Sequence, residues 1–223
     1  MKKIRLAIVG PLDSVMLIRS IAEERSDVID SLPIVYQDAS EVADILTNRM
    51  EEADVWLFSG KVPYRHALAA GFSNHKPFLY IPHTGSSLYR VLLQITYREK
   101  MVIDRISFDS FSRREIEETF LDCGLPLPAM EINDYEGIVA AATMTAYHYR
   151  LWQEGKSKIA VTGFLSTYEE LKRLGMPAFR VAPTRHNVRS MLDTAISTGQ
   201  AMYFKDSQIA VHHIAIDGYE DFV

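Results

Sequence analysis

The segment from His83 to Ser87, which reads His-Thr-Gly-Ser-Ser, is the richest candidate for ligand chemistry in the chain. Hydroxyl groups and a glycine at a helix N-terminus present side-chain donors together with free backbone amides, and this combination favours a carboxylate or a phosphate. Helix capping within a tight turn explains the same residues equally well. The candidate ligand-binding residues here are Thr84, Gly85 and Ser86.

A second candidate segment is Ser59-Gly60-Lys61, which also follows an apolar run. Lys61 and Arg65 lie one helical turn apart and are able to face the same anion, although solvated surface charge is the more common role for a residue such as Arg65. Farther along the chain, Arg185 is a candidate for a bidentate hydrogen bond to a carboxylate. Ion pairing at the surface or between two domains explains Arg185 as well.

These candidates share one location, directly after a predicted strand. In open parallel sheets, ligands bind beyond the carboxyl ends of the strands, where the backbone amides at helix starts are unpaired. Phe164 either forms an aromatic wall at such an end or belongs to the core. The predicted ligand-binding residues are Gly10, Pro11, Ser59, Gly60, Lys61, Thr84, Gly85, Ser86, Thr162, Gly163, Phe164 and Arg185.

Short apolar runs that alternate with helical patterns supply the framework for these residues. This alternation predicts an α/β protein whose parallel sheets are covered on both faces. Ser112 and Glu115 have the spacing of a capping box at a helix start, and Asp13 or Ser14 is expected to cap the first helix. The predicted strands are Ile4–Val9, Leu32–Tyr36, Asp54–Phe58, Lys76–Ile81, Ile103–Phe108, Pro128–Ile132, Lys158–Thr162 and Ala178–Val181.

The strand–helix pattern restarts after residue 100, which predicts two Rossmann-like, periplasmic-binding-protein-like lobes. Residues 1–100 form the first lobe and residues 101–183 the second, with a long helix near Leu88–Glu99 joining them. A helix within residues 184–206 returns to the first lobe, so that two crossings create a hinge and an interlobe ligand cleft. Residues 207–223 are either the start of a further module or a terminal strand.

Several function classes lack their motifs. The chain contains no G-x-x-x-x-G-K-[ST], no G-x-G-x-x-G after its first strand and no G-x-S-x-G or HExxH, so we expect neither a cofactor nor a metal. Cys123 is the only cysteine, which excludes intrachain disulfides and a racemase that needs one thiol from each lobe. His212 and His213 are neighbours on a predicted strand and point to opposite faces, so they cannot share a metal.

Charge and hydropathy limit the partners. The net charge is -5 and the basic residues are scattered, so nucleic-acid contact by this segment is not expected. No apolar run approaches the roughly 18 residues of a membrane span. The run Leu6–Val9 is too short for a signal peptide, and a cytoplasmic location is therefore predicted.

Four stretches together resemble the N-terminal sensor domains of propionate-catabolism-type transcriptional activators. They are LAIVGPLDSVMLIRSIAEE, DASEVADIL, EADVWLFSGKVPYRHAL and KSKIAVTGFLSTYEELKRLG, and the resemblance covers about residues 3–200. It implies two Rossmann-like lobes with a small-molecule cleft between them. Ser-Gly-Lys stands where that family usually has a more glycine-rich turn.

The tail SQIAVHHIAIDGYEDFV resembles the first strand and turn of GGDEF-like domains and of type III GTP cyclohydrolases. In that resemblance Asp217 matches a metal-binding aspartate at the end of the strand. It implies that residues 187–206 include a helix connecting a sensor to an output module, and such helices commonly pair in a dimer.

The favoured hypothesis is a non-enzymatic sensing domain of a regulator, which binds a small polar or anionic metabolite, forms a homodimer and signals by lobe closure. One alternative is an isomerase or transferase that uses the same cleft. Its acid and base would come from Asp13, Lys61, His83, Asp109, Asp134 and His186. Another alternative is a dimerisation scaffold with an empty cleft.

Overall fold

Eight strands form two separate parallel sheets in the computed structural model, which describes residues 2–72, 76–133, 135 and 137–206. The first lobe has the strand order β2-β1-β3-β4 and the second the order β6-β5-β7-β8. This arrangement confirms the predicted two-lobed α/β fold. The strands are β1 (Ile4–Gly10), β2 (Ile29–Val35), β3 (Val55–Phe58), β4 (Phe78–Tyr80), β5 (Arg105–Phe108), β6 (Ala129–Ile132), β7 (Ile159–Thr162) and β8 (Ala178–Arg180).

Helices follow every strand except β2, where a short 3-10 turn precedes the helix, and a π turn of residues Gln94–Arg98 extends α4. The helices are α1 (Leu12–Ala22), α2 (Val42–Arg49), α3 (Lys61–Ala69), α4 (Gly85–Leu93), α5 (Arg113–Asp122), α6 (Ala141–Gln153), α7 (Leu165–Arg173) and α8 (Arg185–Asp206). No helix in these described ranges is long and apolar enough to cross a membrane.

Local sequence explains most of these elements. Residues 6–9 of β1 are fully buried on both faces, as expected for a central parallel strand covered by helices. The capping box of α5 is confirmed, because the hydroxyl of Ser112 accepts from the backbone of Glu115 and the carboxylate of Glu115 accepts from the backbone of Ser112. The cap predicted for α1 is wrong, since Pro11 occupies that position.

The start of α6 also differs from the sequence pattern, which predicts a long helix over roughly Tyr135–Gln153 after Asn133 and Asp134. The helix begins at Ala141, and Gly137 before it has a φ of 82°. This left-handed backbone conformation is incompatible with a continuous right-handed helix.

Two helices exchange places between the lobes. Leu88, Val91 and Ile95 of α4 and its π turn pack in the core of the second lobe, whereas Val188 and Leu192 of α8 pack in the core of the first. The chain therefore passes from the first lobe to the second between β4 and α4. The sequence pattern predicts this boundary near residue 100 instead. The reason is that the apolar face of α4 covers the second sheet rather than the first.

The tail lies outside the described residues. This applies to the predicted last strand, to the histidine pair at 212 and 213, and to Asp217 in the GGDEF-like segment. Asp134, one of the acid–base candidates, lies outside them as well.

Candidate functional site

The switch points of the two sheets face one cavity, which we call the interlobe cleft. The strand order reverses about β1 in the first lobe and about β5 in the second, and a crevice opens beyond the strand ends at such points. Pro11 and Ser59 follow the strands of the first switch point, and Ser110 and Gly163 follow those of the second. All four line the cleft, whose volume is about 80 Å³.

Glycine permits a close approach of neighbouring strand ends in both lobes. A Cβ atom on Gly10 would lie 2.5 Å from the Cβ of Ser59, and one on Gly163 would lie 3.0 Å from the Cβ of Ser110. Gly163 also lines the cleft, whereas Gly10 does not. The part that Gly10 plays is therefore packing behind the cleft rather than its lining.

Three helix N-termini open onto the cleft. Pro11, Gly60 and Phe164 are the N-cap residues of α1, α3 and α7, and none of these three forms a side-chain cap hydrogen bond within the described structure. All three line the cleft. Because the first-turn N–H groups of a helix lack intrahelical partners and carry partial positive charge, this arrangement favours an anion.

Arg180, at the end of β8, adds a full positive charge to the cleft. Its side chain is 13% exposed, and its Nη1 donates to the carbonyl oxygens of Gly163 and Val181. The Nε atom forms no hydrogen bond with any described residue and lies 3.6 Å from Oδ2 of Asp13. Burial lowers the pKa of Arg180, while Asp13 opposes that shift.

Aromatic rings form the walls of the cleft, with Tyr36 on one side and Tyr135 and Phe164 on the other. The ring centroids of Tyr135 and Phe164 are 6.2 Å apart. Arg65 reaches across from the first lobe, because its Nη1 lies 3.4 Å from the carbonyl oxygens of Tyr135 and Gly137. Arg65 is thus an interlobe contact rather than an isolated surface charge.

His83 lies in the cleft as an uncharged group. Its Nδ1 is buried without a hydrogen-bond partner among the described residues. Burial lowers the pKa of His83 to about 3, with further lowering from the charges of Arg180 and Arg90. A neutral imidazole next to an arginine adds a donor or an acceptor to the cleft without adding charge.

The hydroxyl-rich segment from Thr84 to Ser86 lies at the hinge rather than in the cleft. Oγ1 of Thr84 is 2.9 Å from Oγ of Ser86, which lies 3.4 Å from Oγ1 of Thr184, and Asn187 donates to Oγ1 of Thr84. A Cβ atom on Gly85 would lie 3.5 Å from the ring of Tyr89 in the same helix. Thr84, Gly85 and Ser86 do not line the cleft. The hydroxyl groups of this segment instead connect the start of α4 to the start of α8, where the chain passes between the lobes.

Two further predicted residues lie outside the cleft lining. Thr162 is fully buried, and its Oγ1 accepts from the backbone N–H of Phe164, so it shapes the loop without reaching the cavity. Arg185 is exposed at the first turn of α8, whose apolar face is turned toward the first lobe. The predicted residues that do line the cleft are Pro11, Ser59, Gly60, Lys61, Gly163 and Phe164.

The most important residue that sequence reasoning missed is Arg180. It was read as an interior residue of a strand ending at Val181, but β8 ends at Arg180 itself. Tyr36, directly after β2, is a second omission, because the predicted strand includes Tyr36 whereas β2 ends at Val35. The helical pattern predicts that Tyr135 is the first residue of a long helix, whereas Tyr135 precedes α6 and lines the cleft.

A buried polar chain holds the second lobe's side of the cleft in place. Asp109 accepts from the backbone N–H of Gly163 (2.8 Å) and lies 3.1 Å from Nε2 of His148, while Nδ1 of His148 lies 2.7 Å from Oγ of Ser107. Burial raises the pKa of Asp109, but hydrogen bonds from His148 and other neighbours outweigh this and lower it. His148 and Ser107 are fully buried, so this serine–histidine–aspartate chain is a structural support.

Metal ligation has no evident site in the described ranges, since no three or more His, Cys, Asp or Glu side chains there are grouped to hold an ion. Cys123 is a free, exposed thiol.

Two parallel-sheet lobes, exchanged helices and a cleft at facing strand ends define the periplasmic-binding-protein-like class of two-lobed folds. Within that class, an NtrC family transcriptional regulator from Clostridium acetobutylicum aligns with a TM-score of 0.68 at 12% identity, covering 91% of this chain and 100% of that one. At this identity the likeness shows the fold alone.

Two other solved structures align with lower scores. The transcription regulator CcpA of Lactococcus lactis has a TM-score of 0.45 at 9% identity, with 97% of this chain and 96% of that chain covered. The ABC domain in complex with L-Trp from Streptococcus pneumonia has a TM-score of 0.43 at 13% identity, with 93% and 86% covered. No protein-family model matches the chain, and no curated protein matches its sequence.

Proposed function

We propose that the chain is a ligand-sensing input domain that binds a small anionic metabolite in the interlobe cleft. The observation that carries this proposal is the convergence of three helix N-termini on a cavity that also contains the guanidinium of Arg180. Each helix end and the arginine favour negative charge. The aromatic walls suit a ligand that also has an apolar or planar body.

Signalling would depend on lobe closure. Lys61 and Ser59 come from the first lobe, and Arg180 and Gly163 from the second, so an anion that touches both sides stabilises the closed arrangement by its differential affinity for that state. Helix α8 starts at the second crossing and packs on the first lobe. A change in the angle between the lobes would therefore alter how α8 presents the chain beyond residue 206 to an output module. Transcriptional output, a homodimer and a cytoplasmic location belong to this proposal.

An enzyme that uses the same cleft is the competing proposal. It needs an acid and a base that are free to exchange protons. The carboxylate of Asp109 is engaged by Gly163, Ser110 and His148, and His83 is held neutral. These contacts support binding without turnover.

The first experiment is a thermal-shift screen with small carboxylates and phosphates, followed by calorimetry and mass spectrometry of the recovered ligand. A ligand present at about 100 times its Kd adds about 2.7 kcal/mol to the free energy of unfolding, and sensing requires that it be recovered unchanged. Chemical conversion would favour the enzyme. If no anion changed the melting temperature, the scaffold alternative would be favoured.

A matched pair of variants tests the site itself. Lys61→Gln removes a positive charge that lines the cleft and is expected to weaken ligand binding severalfold. Arg185→Gln removes an exposed charge outside the cleft and should leave the affinity unchanged. The reverse pattern would contradict the placement of the ligand.

A further inference from the structure

A second cavity, which we call the rear groove, lies in the structure beside Arg180. It has a volume of about 810 Å³ and is lined by side chains that include Asp13, Arg90, Arg98, Lys172 and Arg180. Only Leu165 and Arg180 also line the interlobe cleft. The rear groove is therefore a separate cavity that shares one guanidinium with the cleft.

Two of these arginines are held in place but have unused donors. Arg90 donates from Nη2 to the carbonyl oxygen of Ala182 (2.6 Å) and from Nη1 to that of Pro183 (3.2 Å). Arg180 donates from Nη1 alone, to the carbonyl oxygens of Gly163 and Val181. The Nε atoms of both arginines are buried without a hydrogen-bond partner in the described part of the chain. Since a guanidinium has five N–H groups in a fixed fork, each arginine keeps donors for an added acceptor.

Positive charge is in excess around the groove. Arg90, Arg98, Lys172 and Arg180 face two acidic groups, Asp13 and a glutamate that pairs with Arg98 at the surface. The Asp13 carboxylate is 3.6 Å from Arg180 Nε, which is an ion pair but not a hydrogen bond. Buried charges of one sign without full compensation are costly. Burial accordingly lowers the pKa of both Arg90 and Arg180.

The remaining walls are partly apolar, with Tyr168 of α7, Phe179 of β8 and Met176 from the segment between them. The π turn of residues Gln94–Arg98 also lines the groove, through Gln94 and Arg98. Such turns are rare and are frequently found at functional sites. The groove thus pairs an apolar wall with fixed cationic donors.

We infer that the rear groove is a second anion-binding site, which takes a carboxylate or phosphate group on Arg90 and Arg180. The inference is independent of whether the interlobe cleft binds a ligand, because Arg90 and Lys172 contact only the rear groove. An anion held by Arg90 would also be attached to the second crossing, since Arg90 donates to its carbonyl groups. The rear site would therefore stiffen the hinge.

The test is a titration of the whole chain with inorganic phosphate and, in a separate arm, with sodium acetate. Sodium chloride at matched ionic strength is the reference, and the readouts are melting temperature and calorimetry. We expect saturable stabilisation beyond that of chloride in at least one arm. The arm that responds identifies phosphate or carboxylate chemistry.

Three variants place the bound anion. Arg90→Gln is expected to weaken anion binding about tenfold or more. Lys172→Gln is expected to weaken it severalfold, and because Lys172 is exposed this substitution should not disturb folding. Arg185→Gln is the control, because it removes an exposed charge outside the cleft and the rear groove and should bind as the wild type does. If both groove variants bind normally, or if neither anion differs from chloride, the inference is wrong. If Lys61→Gln, which changes the cleft, loses binding while Arg90→Gln and Lys172→Gln bind normally, the anion lies in the cleft, which overturns the rear site and supports the proposed function.

Discussion

The attachment of α8 to the first lobe should make the domain sensitive to acid through one carboxylate, Asp54. Its Oδ2 accepts from the backbone N–H of Arg5 (2.9 Å) and from the hydroxyl of Tyr203 (2.6 Å). Its Oδ1 pairs with Nη2 of Arg5 (2.8 Å), and the Asp54 side chain is 12% exposed. The perturbation is Asp54→Asn, which removes the charge and keeps the shape.

The size of the effect follows from the pKa of Asp54. Burial raises it, but the hydrogen bonds from Arg5 and Tyr203 outweigh burial and lower the pKa from 3.8 to about 2. At about 1.4 kcal/mol per pH unit, this lowering corresponds to about 2.5 kcal/mol of stability. Because the folded pKa lies below the unfolded one, this stability is present above the unfolded value and is lost as pH falls through the folded value.

The assay is urea denaturation of the wild type and Asp54→Asn across a range of pH. At pH 7 the variant should have a free energy of unfolding lower by about 2 kcal/mol. Near pH 3 the difference should be smaller by about 1 kcal/mol, since the unfolded wild type takes up a proton there. Tyr203→Phe is the control, because it removes the hydroxyl that donates to Asp54 and to the carbonyl oxygen of Lys3. It keeps the ion pair of Arg5 and Asp54 and should lower the free energy of unfolding by about 1 kcal/mol. An Asp54→Asn penalty that is the same at both pH values would refute the reasoning.

Three other substitutions test packing and support. Gly199→Ala should cost about 1–3 kcal/mol by overpacking, because the added Cβ would lie 2.8 Å from a side-chain atom of Ile4; an unchanged urea midpoint would contradict this close approach. Ser112→Ala should lower the free energy of unfolding by about 1 kcal/mol, because it removes the capping box of α5. Thermal unfolding measures this loss, and an unchanged melting temperature would show that the capping box does not stabilise the fold. His148→Ala should cost about 3 kcal/mol and speed amide exchange in the cleft loop, since Asp109 loses a buried partner; normal exchange would show that the loop is held by other contacts.

Much of the fold was predictable because its signals are local. Each of the eight strands predicted within residues 4–181 overlaps an observed one, since a run of consecutive apolar residues is typical of a strand buried on both faces. The capping box at Ser112 likewise needs only a spacing of three residues. By contrast, the late start of α6 depends on the conformation of Gly137, which the apolar pattern did not show.

The candidate site was only partly predictable. The strand-end rule found Ser59 and Gly163 because topology places all strand ends of a parallel sheet at one edge. The same rule could not distinguish residues of the hinge from residues of the cleft. It included Thr84, whose hydroxyl accepts a hydrogen bond from Asn187 of α8 at the hinge. It also favoured Arg185 over Arg180, two arginines five positions apart.

The amino-acid sequence by itself determined the alternation of strands and helices, the capping box of α5, and the restart of the pattern that divides the chain into two lobes. Only the tertiary structure decided that α4 covers the second sheet, that α8 covers the first, and that Arg180 enters the cavity between them. The physical reason is the range of the interactions. Periodicity and capping act over a few residues, whereas the partner of an apolar helix face and the direction of a buried charge are set by packing between segments far apart in the chain.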